Sequence, residues 1–183
     1  MSRIGKAPIK IPAGVECKLV DSQVTIKGPK GELARVLPPN IKVDIKDGVL
    51  SVTRASDERS SRAYHGLART LINNMIVGVT TGFSKKLSIV GVGFKVDLKG
   101  KDLALQLGFS HPVEIPAPPG IKFEADAKNN VITITGIDKE KVGQITANIR
   151  KIKPPEPYKG KGIMYMGEKI IRKAGKAAAT TKS

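Results

Sequence analysis

Two histidines and one cysteine are the side chains of this 183-residue sequence best suited to nucleophilic, acid–base or soft-metal chemistry, and their spacing supports none of it. His65 falls in a segment of helical periodicity and His111 in a proline-flanked loop. Neither has a serine, cysteine or carboxylate at a separation that would assemble a catalytic set. Cys17 has no partner for an internal disulfide, and Glu16 beside it disfavours a thiolate, so it reads as a small buried apolar group in a strand. A His/Cys metal site would need all three of these scattered residues as ligands, or one more than there are, and no metal site is expected. The carboxylates stand singly, mostly beside lysines (Asp44, Asp47, Asp97, Asp102, Glu124, Asp126), as solvated strand and turn residues do. Gly28-Pro29-Lys30-Gly31 lacks the spacing of a phosphate-binding loop. Gly91-Val92-Gly93 lacks the third glycine and following helix of a dinucleotide fingerprint, and reads as a bulge or close backbone packing within an apolar strand from Leu87 to Val96. The sequence therefore predicts no enzyme, no cofactor and no small-molecule substrate.

What remains is charge. Thirty-two basic residues against 16 acidic ones give a formal net charge of +16, more than solubility requires, and point to a polyanionic partner. Nucleic acid is the first candidate. A membrane surface is the rival, but the apolar runs are too short to span a bilayer and no basic amphipathic helix with large apolar residues is evident. The segment from Met1 to Pro8 has no apolar stretch of the kind a secretory signal needs, so an intracellular, cytoplasmic protein is expected. The charge is also uneven. From Arg150 to Ser183 there are ten basic residues and two acidic ones, a net +8 and half of the total.

That charge begins at Pro154-Pro155-Glu156-Pro157-Tyr158-Lys159-Gly160-Lys161-Gly162-Ile163. Three prolines in four residues forbid a helix and favour an extended path. Lys159 and Lys161 flank Gly160, where the backbone can approach another surface closely, and Tyr158 adds a flat ring. The stretch suits either a solvated linker or a clamp on a phosphate backbone with accessible bases. The tail beyond Ile163, with Tyr165, Lys169, Arg172, Lys173 and Lys176, is expected to bury no core and to be ordered by a polyanion.

The elements that would carry this segment show period-two and period-3.6 patterns. Val15, Cys17 and Leu19, then Val24 and Ile26, make a hairpin turning at Asp21-Ser22-Gln23. Leu33 to Leu37, Ile41 to Ile45 and Val49 to Thr53 add strands, the last pair joined at Asp47-Gly48, to give an antiparallel meander. Ser56 reads as a helix N-cap with Asp57 and Glu58 in the first turn. Ala63, Leu67, Leu71 and Met75, with Ala68, Ile72 and Ile76, form the apolar face, while Arg59, Arg62 and Arg69 point elsewhere. The pattern then repeats: Gly31-Glu32-Leu33-Ala34 is matched by Lys101-Asp102-Leu103-Ala104, Ile41-Lys42-Val43 by Ile121-Lys122-Phe123, and Val49 to Thr53 by Val131 to Thr135. Asp138 stands as N-cap of a second helix with Val142, Ile145, Ile149 and Ile152 as its stripe, ended by Pro154. The expected class is α+β: two similar tandem modules, each a mainly antiparallel sheet covered on one face by one helix, plus a basic C-terminal tail. The corresponding boundaries are 1–81, 82–154 and 155–183. Deleting the last segment is expected to leave both modules folded.

Several longer motifs carry a family resemblance. They are Ser2-Arg3-Ile4-Gly5-Lys6-Ala7-Pro8-Ile9, Ile11-Pro12-Ala13-Gly14-Val15, Gly91-Val92-Gly93-Phe94, Gly108-Phe109-Ser110-His111-Pro112 and Pro155 to Ile163. Together they resemble, nearly end to end, the bacterial form of the large-subunit ribosomal protein L-six family. The resemblance implies a structural constituent of the large ribosomal subunit that binds 23S ribosomal RNA through its second domain and tail. It implies a position near the stalk base and the sarcin-ricin loop, with neighbouring ribosomal proteins as partners and translation factors nearby. Carried over by position, the RNA-contacting candidates are Tyr158, Lys159, Gly160, Lys161 and Gly162, with Arg150, Lys153, Arg172, Lys173 and Lys176 beside them. Met164 stands where the family often has an arginine. The alternatives are a free RNA-binding or RNA-chaperone protein and, third, an enzyme acting on RNA.

Overall fold

The computed structural model describes residues 3–46, 48–173 and 175, and divides into two compact units, Met1–Phe83 with Gly136–Glu140, and Ser84–Thr135 with Lys141–Ser183. In the first unit a short helix α1 (Arg3–Lys6) leads to β1 (Ile9–Lys10), β2 (Glu16–Val20), β3 (Gln23–Gly28), β4 (Gly31–Val36), β5 (Ile41–Lys46), β6 (Val49–Arg54) and helix α2 (Arg59–Thr80). The strands do not form one meander. They make two three-stranded sheets, ordered β2-β3-β4 and β1-β6-β5, with antiparallel pairs throughout. The chain leaves one sheet for the other at Pro38-Pro39-Asn40, where Asn40 takes a positive φ of 63° and two prolines withhold backbone donors. Val24 and Ile26, Ile41 and Val43, and Leu50 and Val52 alternate inward and pack on α2 through Ala68, Ile72, Met75, Ile76 and Val79. Cys17 is half-buried against this core, and burial pushes its thiol pKa up. Gly48 turns with a positive φ as the β5–β6 hairpin needs, while Asp47 lies outside the described residues.

Helix α2 departs from its sequence reading at two places. It begins at Arg59 with Glu58 as N-cap and no side-chain cap. Ser56 instead bonds the Ser61 hydroxyl, Oγ to Oγ 2.9 Å, and Asp57 is taken by the Arg54 guanidinium, whose Nε donates to it at 2.6 Å. Short-range pairing of Asp57 with Arg54 at the end of β6, and of Ser56 with Ser61, thus overrides the capping pattern. The buried stripe runs Ser61, His65, Ala68, Ile72, Met75, Ile76 and Val79, whereas Ala63 is exposed and Leu67 is 48% exposed. The face was displaced in the sequence reading because two of its members are polar. His65 Nε2–H donates to the Val52 carbonyl at 2.9 Å and Nδ1 accepts from Arg54 at 3.2 Å, so the ring is satisfied inside the core as the neutral tautomer.

The second unit contains β7 (Phe83–Val90), β8 (Lys95–Lys99), β9 (Asp102–Gln106), β10 (Val113–Ile115), β11 (Ile121–Asp126), β12 (Val131–Gly136), helix α3 (Lys139–Ile152) and β13 (Gly162–Tyr165). Again there are two sheets, β8-β9-β10 and β11-β12-β7-β13. The β11, β12 and α3 sequence repeats β5, β6 and α2, and the β8-β9-β10 sheet repeats β2-β3-β4; strand order therefore sets β9 against central β3, not against β4 as the match of Gly31–Ala34 with Lys101–Ala104 implies, and the doubled α+β organisation holds with two sheets per module rather than one. The core collects Leu87, Ile89, Leu103, Leu105, Ile132, Ile134, Val142 and Ile149. Asp138 caps α3 as its position predicts, accepting the Glu140 backbone N–H at 2.9 Å. Thr146 joins the α3 stripe in place of a larger apolar residue and is fully buried. The Gly91-Val92-Gly93 segment is not a bulge: β7 stops at Val90, and the glycines turn the chain into β8, with Gly93 at φ +77° and Val92 89% exposed.

The largest correction concerns the tail. Residues 162–165 form β13, paired antiparallel with β7 in the register Gly162↔Val90, Ile163↔Ile89, Met164↔Ser88 and Tyr165↔Leu87. Ile163 is fully buried. The chain beyond Pro155 therefore contributes a strand and a core side chain to the second unit, and a deletion from 155 would take both away.

Candidate nucleic-acid interface

Between α3 and β13 the backbone closes on itself. Pro154 and Pro155 stop the helix, after which Glu156 N–H donates to the Lys161 carbonyl (2.9 Å) and Ile163 N–H to the Lys153 carbonyl (2.8 Å). Inside this loop Gly160 N–H donates to the Glu156 carbonyl (3.1 Å), and the Glu156 carboxylate accepts from Lys159 N–H (3.1 Å). Lys173 N–H donates to the Pro157 carbonyl at 2.8 Å and pins the following segment across it. The stretch is a braced loop, not a linker.

The glycines serve that brace. A Cβ on Gly162, whose φ is +143°, would lie 2.6 Å from the Pro154 carbonyl oxygen, and one on buried Gly160 would meet the Arg172 guanidinium at 3.4 Å. At Gly162 the missing side chain lets the loop pack on itself, while Gly160, buried, answers a φ of +72° in the turn rather than opening the backbone to an outside surface. What the loop turns outward is Tyr158, 57% exposed, with Lys159 exposed and Lys161 half-exposed; Arg172 and Lys173 are exposed on the segment pinned across it.

Arg150 and Lys153 are placed differently. Arg150 donates through Nε (3.1 Å) and Nη2 (2.6 Å) to the two oxygens of Glu168, which also accepts from Tyr165 N–H at 2.9 Å. The hydrogen bond from Arg150, then that from Tyr165, holds the Glu168 carboxyl below the usual range, and the same bond raises Arg150. The Tyr165 ring lies under two cations, Lys85 Nζ at 5.2 Å and Arg150 Cζ at 5.6 Å from its centroid. Lys153 donates to the Leu107 carbonyl and sits over Phe94 and Phe109, 4.6 and 4.8 Å from their centroids. The structure thus brings Tyr158, Lys159, Gly160, Lys161, Arg172 and Lys173 into one assembly, and uses Arg150 and Lys153 as internal ties. Lys176 lies outside the described residues. Lys85 escaped the sequence reading: it meets Tyr165 only through strand pairing across most of the unit, and no local pattern announces that.

Elsewhere, no group of three or more His, Cys, Asp or Glu side chains that could hold a metal occurs among the described residues, and no helix there is long and apolar enough to cross a membrane. His111 rests against the neighbouring Ser110 hydroxyl at 3.4 Å.

A duplicated α+β scaffold with a braced cationic loop between α3 and β13 defines a class of basic, two-module proteins. The comparison with known families makes that class specific. The family model for ribosomal protein L6 matches residues 11–82 and again 90–166, one match per repeat. The chain is 56% identical over 176 residues to the large ribosomal subunit protein uL6 of Trichlorobacter lovleyi, covering 96% of this chain and 98% of that protein. It is 53% identical over 182 residues to the protein of the same name from Synechococcus sp. (strain JA-3-3Ab), covering all of both. The chain belongs to the ribosomal protein L6 family.

Proposed function

We infer that the chain works as a structural constituent of the large ribosomal subunit and meets 23S ribosomal RNA through its second unit. The coarser part follows from the family and its relatives: a ribosomal protein of the large subunit, located in the ribosome and therefore in the cytoplasm, with no enzymatic role. The finer part is that Tyr158, Lys159, Lys161, Arg172 and Lys173 face RNA directly, and that the chain is organised as a module ending near 81 and a second from 82 that takes in the basic segment from 155 through β13. By the family resemblance its neighbourhood is the stalk base and the factor-docking region, with translation factors nearby. The observation that carries the RNA reading is the braced loop, which holds one aromatic ring and several cations outward on a backbone whose own hydrogen bonds are closed. Such a loop loses little conformational freedom on binding. The roles differ by residue: lysines and arginines neutralise phosphates, while the exposed Tyr158 ring suits a base or sugar.

The test is the salt dependence of binding between the full chain and a 23S ribosomal RNA transcript. Replacing Lys159 and Lys161 together by alanine is expected to lower the slope of log affinity against log salt by about 1.5 to 2, close to one unit per phosphate contact removed. A double variant with an unchanged slope overturns the assignment.

A further inference from the structure

The second unit exposes an apolar feature that the phosphate-facing loop does not use. The turn 91–94 and the loop 107–112 are tied together at Lys153, whose ammonium lies within 5 Å of both the Phe94 and the Phe109 centroids and donates to the Leu107 carbonyl. Gly91 and Gly108 admit the Phe94 ring at positions where a Cβ would press on it. The tie fixes two surface loops and leaves Phe109 45% exposed and Val92 89% exposed. Lys95 beside Phe94 and Lys151 on the last turn of α3 are both exposed.

A flat apolar ring held rigid by a cation within a strongly basic unit matches an unpaired nucleobase better than an apolar protein surface. The base supplies a π-face for the ring, and its phosphates answer the surrounding charge. A protein helix would answer the ring but not the cations. We propose that Phe109 is a stacking platform for an unpaired base of ribosomal RNA, separate from the Tyr158–Lys161 loop. Lys153 is its positioning residue: it holds the ring from inside and makes no phosphate contact of its own. The inference rests on the RNA-binding reading of the second unit.

Losing a stacking contact lowers affinity without changing counterion release, so it is separable from a phosphate contact by the salt slope. With a 23S ribosomal RNA transcript and the full chain, Phe109→Ala is expected to lose about ten- to a hundredfold in affinity with the slope unchanged. Phe109→Leu keeps apolar bulk over Lys153 and should fall nearly as far, whereas Phe109→Tyr keeps a flat ring and should hold affinity within about twofold. Full affinity in Phe109→Leu, or a slope reduced by about one unit in Phe109→Ala, overturns the platform. A photoreactive benzoylphenylalanine at position 109, assembled into large subunits, is expected to cross-link to RNA; cross-linking to a ribosomal protein assigns the surface to a protein and overturns it as well. If the wild-type chain fails to bind the transcript, the RNA-binding reading itself falls, a result distinct from failure at Phe109 alone.

Discussion

Truncating one side chain tests whether the basic segment is part of the folded core. Ile163 is fully buried on β13, opposite Ile89 of β7, and its backbone N–H closes the loop on Lys153. Ile163→Ala removes buried methyl and methylene groups and leaves a cavity walled by a strand pair, at a cost of about 2 to 5 kcal/mol. That is a large share of the stability of a domain of ordinary size. Two units need not unfold together, so the readout is amide hydrogen exchange resolved by position. Amides of β7 and β12 that open only with the second unit should exchange about thirtyfold to a few thousandfold faster, while those of β3 and β6 in the first unit keep their protection. Ile171→Ala, at a site 91% exposed, is the control and should stay within about 0.5 kcal/mol. Gly162→Ala acts on the same element, since its Cβ would need the space of the Pro154 carbonyl at a φ of +143°. If Ile163→Ala costs no more than Ile171→Ala, β13 is a docked tail and the argument for a shared core fails.

Two further expectations follow. The Glu168 carboxyl has a folded-state pKa below its ordinary 4.5, chiefly through Arg150, so the pair stabilises the fold above that value and the gain is lost as pH falls through the depressed one. Glu168→Gln should therefore cost about 1 kcal/mol at neutral pH in urea titrations and flatten the acid limb of the stability curve; an acid limb identical to the wild type's refutes the linkage. His65→Phe keeps the ring that Gly5 packs against but strands the Val52 carbonyl and removes the acceptor facing Arg54, which should cost the first unit about 1 to 3 kcal/mol. RNA affinity should not change, and a stability loss below about 0.5 kcal/mol would show those bonds to be dispensable.

The sequence carried the doubling, the α+β class and most strands, because period-two burial in Val24/Ile26, Ile41/Val43 and Ile132/Ile134 is written locally. It missed whatever depended on a distant partner. The α2 stripe cannot be read correctly while His65 counts as polar, because its bond to the Val52 carbonyl is made only once the sheet and helix meet. The same limit hid β13: Gly162-Ile163-Met164-Tyr165 is short, sits between lysines and turn residues, and becomes a strand only because β7 offers it an edge. At the candidate interface the residue types were legible and their roles were not. Gly160 reads as an opening for a partner and is a buried turn position with φ +72°, and Gly162 packs against the Pro154 carbonyl.

That distinction changes what the charge can do. The basic residues of the segment 150–173 are Arg150, Lys151, Lys153, Lys159, Lys161, Lys169, Arg172 and Lys173, and a reading from charge alone would count each as a phosphate ligand. Arg150 already faces the Glu168 carboxylate, and Lys153 is enclosed by two rings and a carbonyl. Releasing either would leave a half-buried carboxylate or an emptied aromatic cage, so their net worth to a polyanion is small. The six that remain set a salt slope for this segment no steeper than about −5, well short of what the full charge would give. The two enclosed cations are committed inside the protein: Arg150 lies over the Tyr165 ring and Lys153 over Phe94 and Phe109. A basic segment in this fold is therefore divided between charges that meet the partner and charges that hold rings and strands in place.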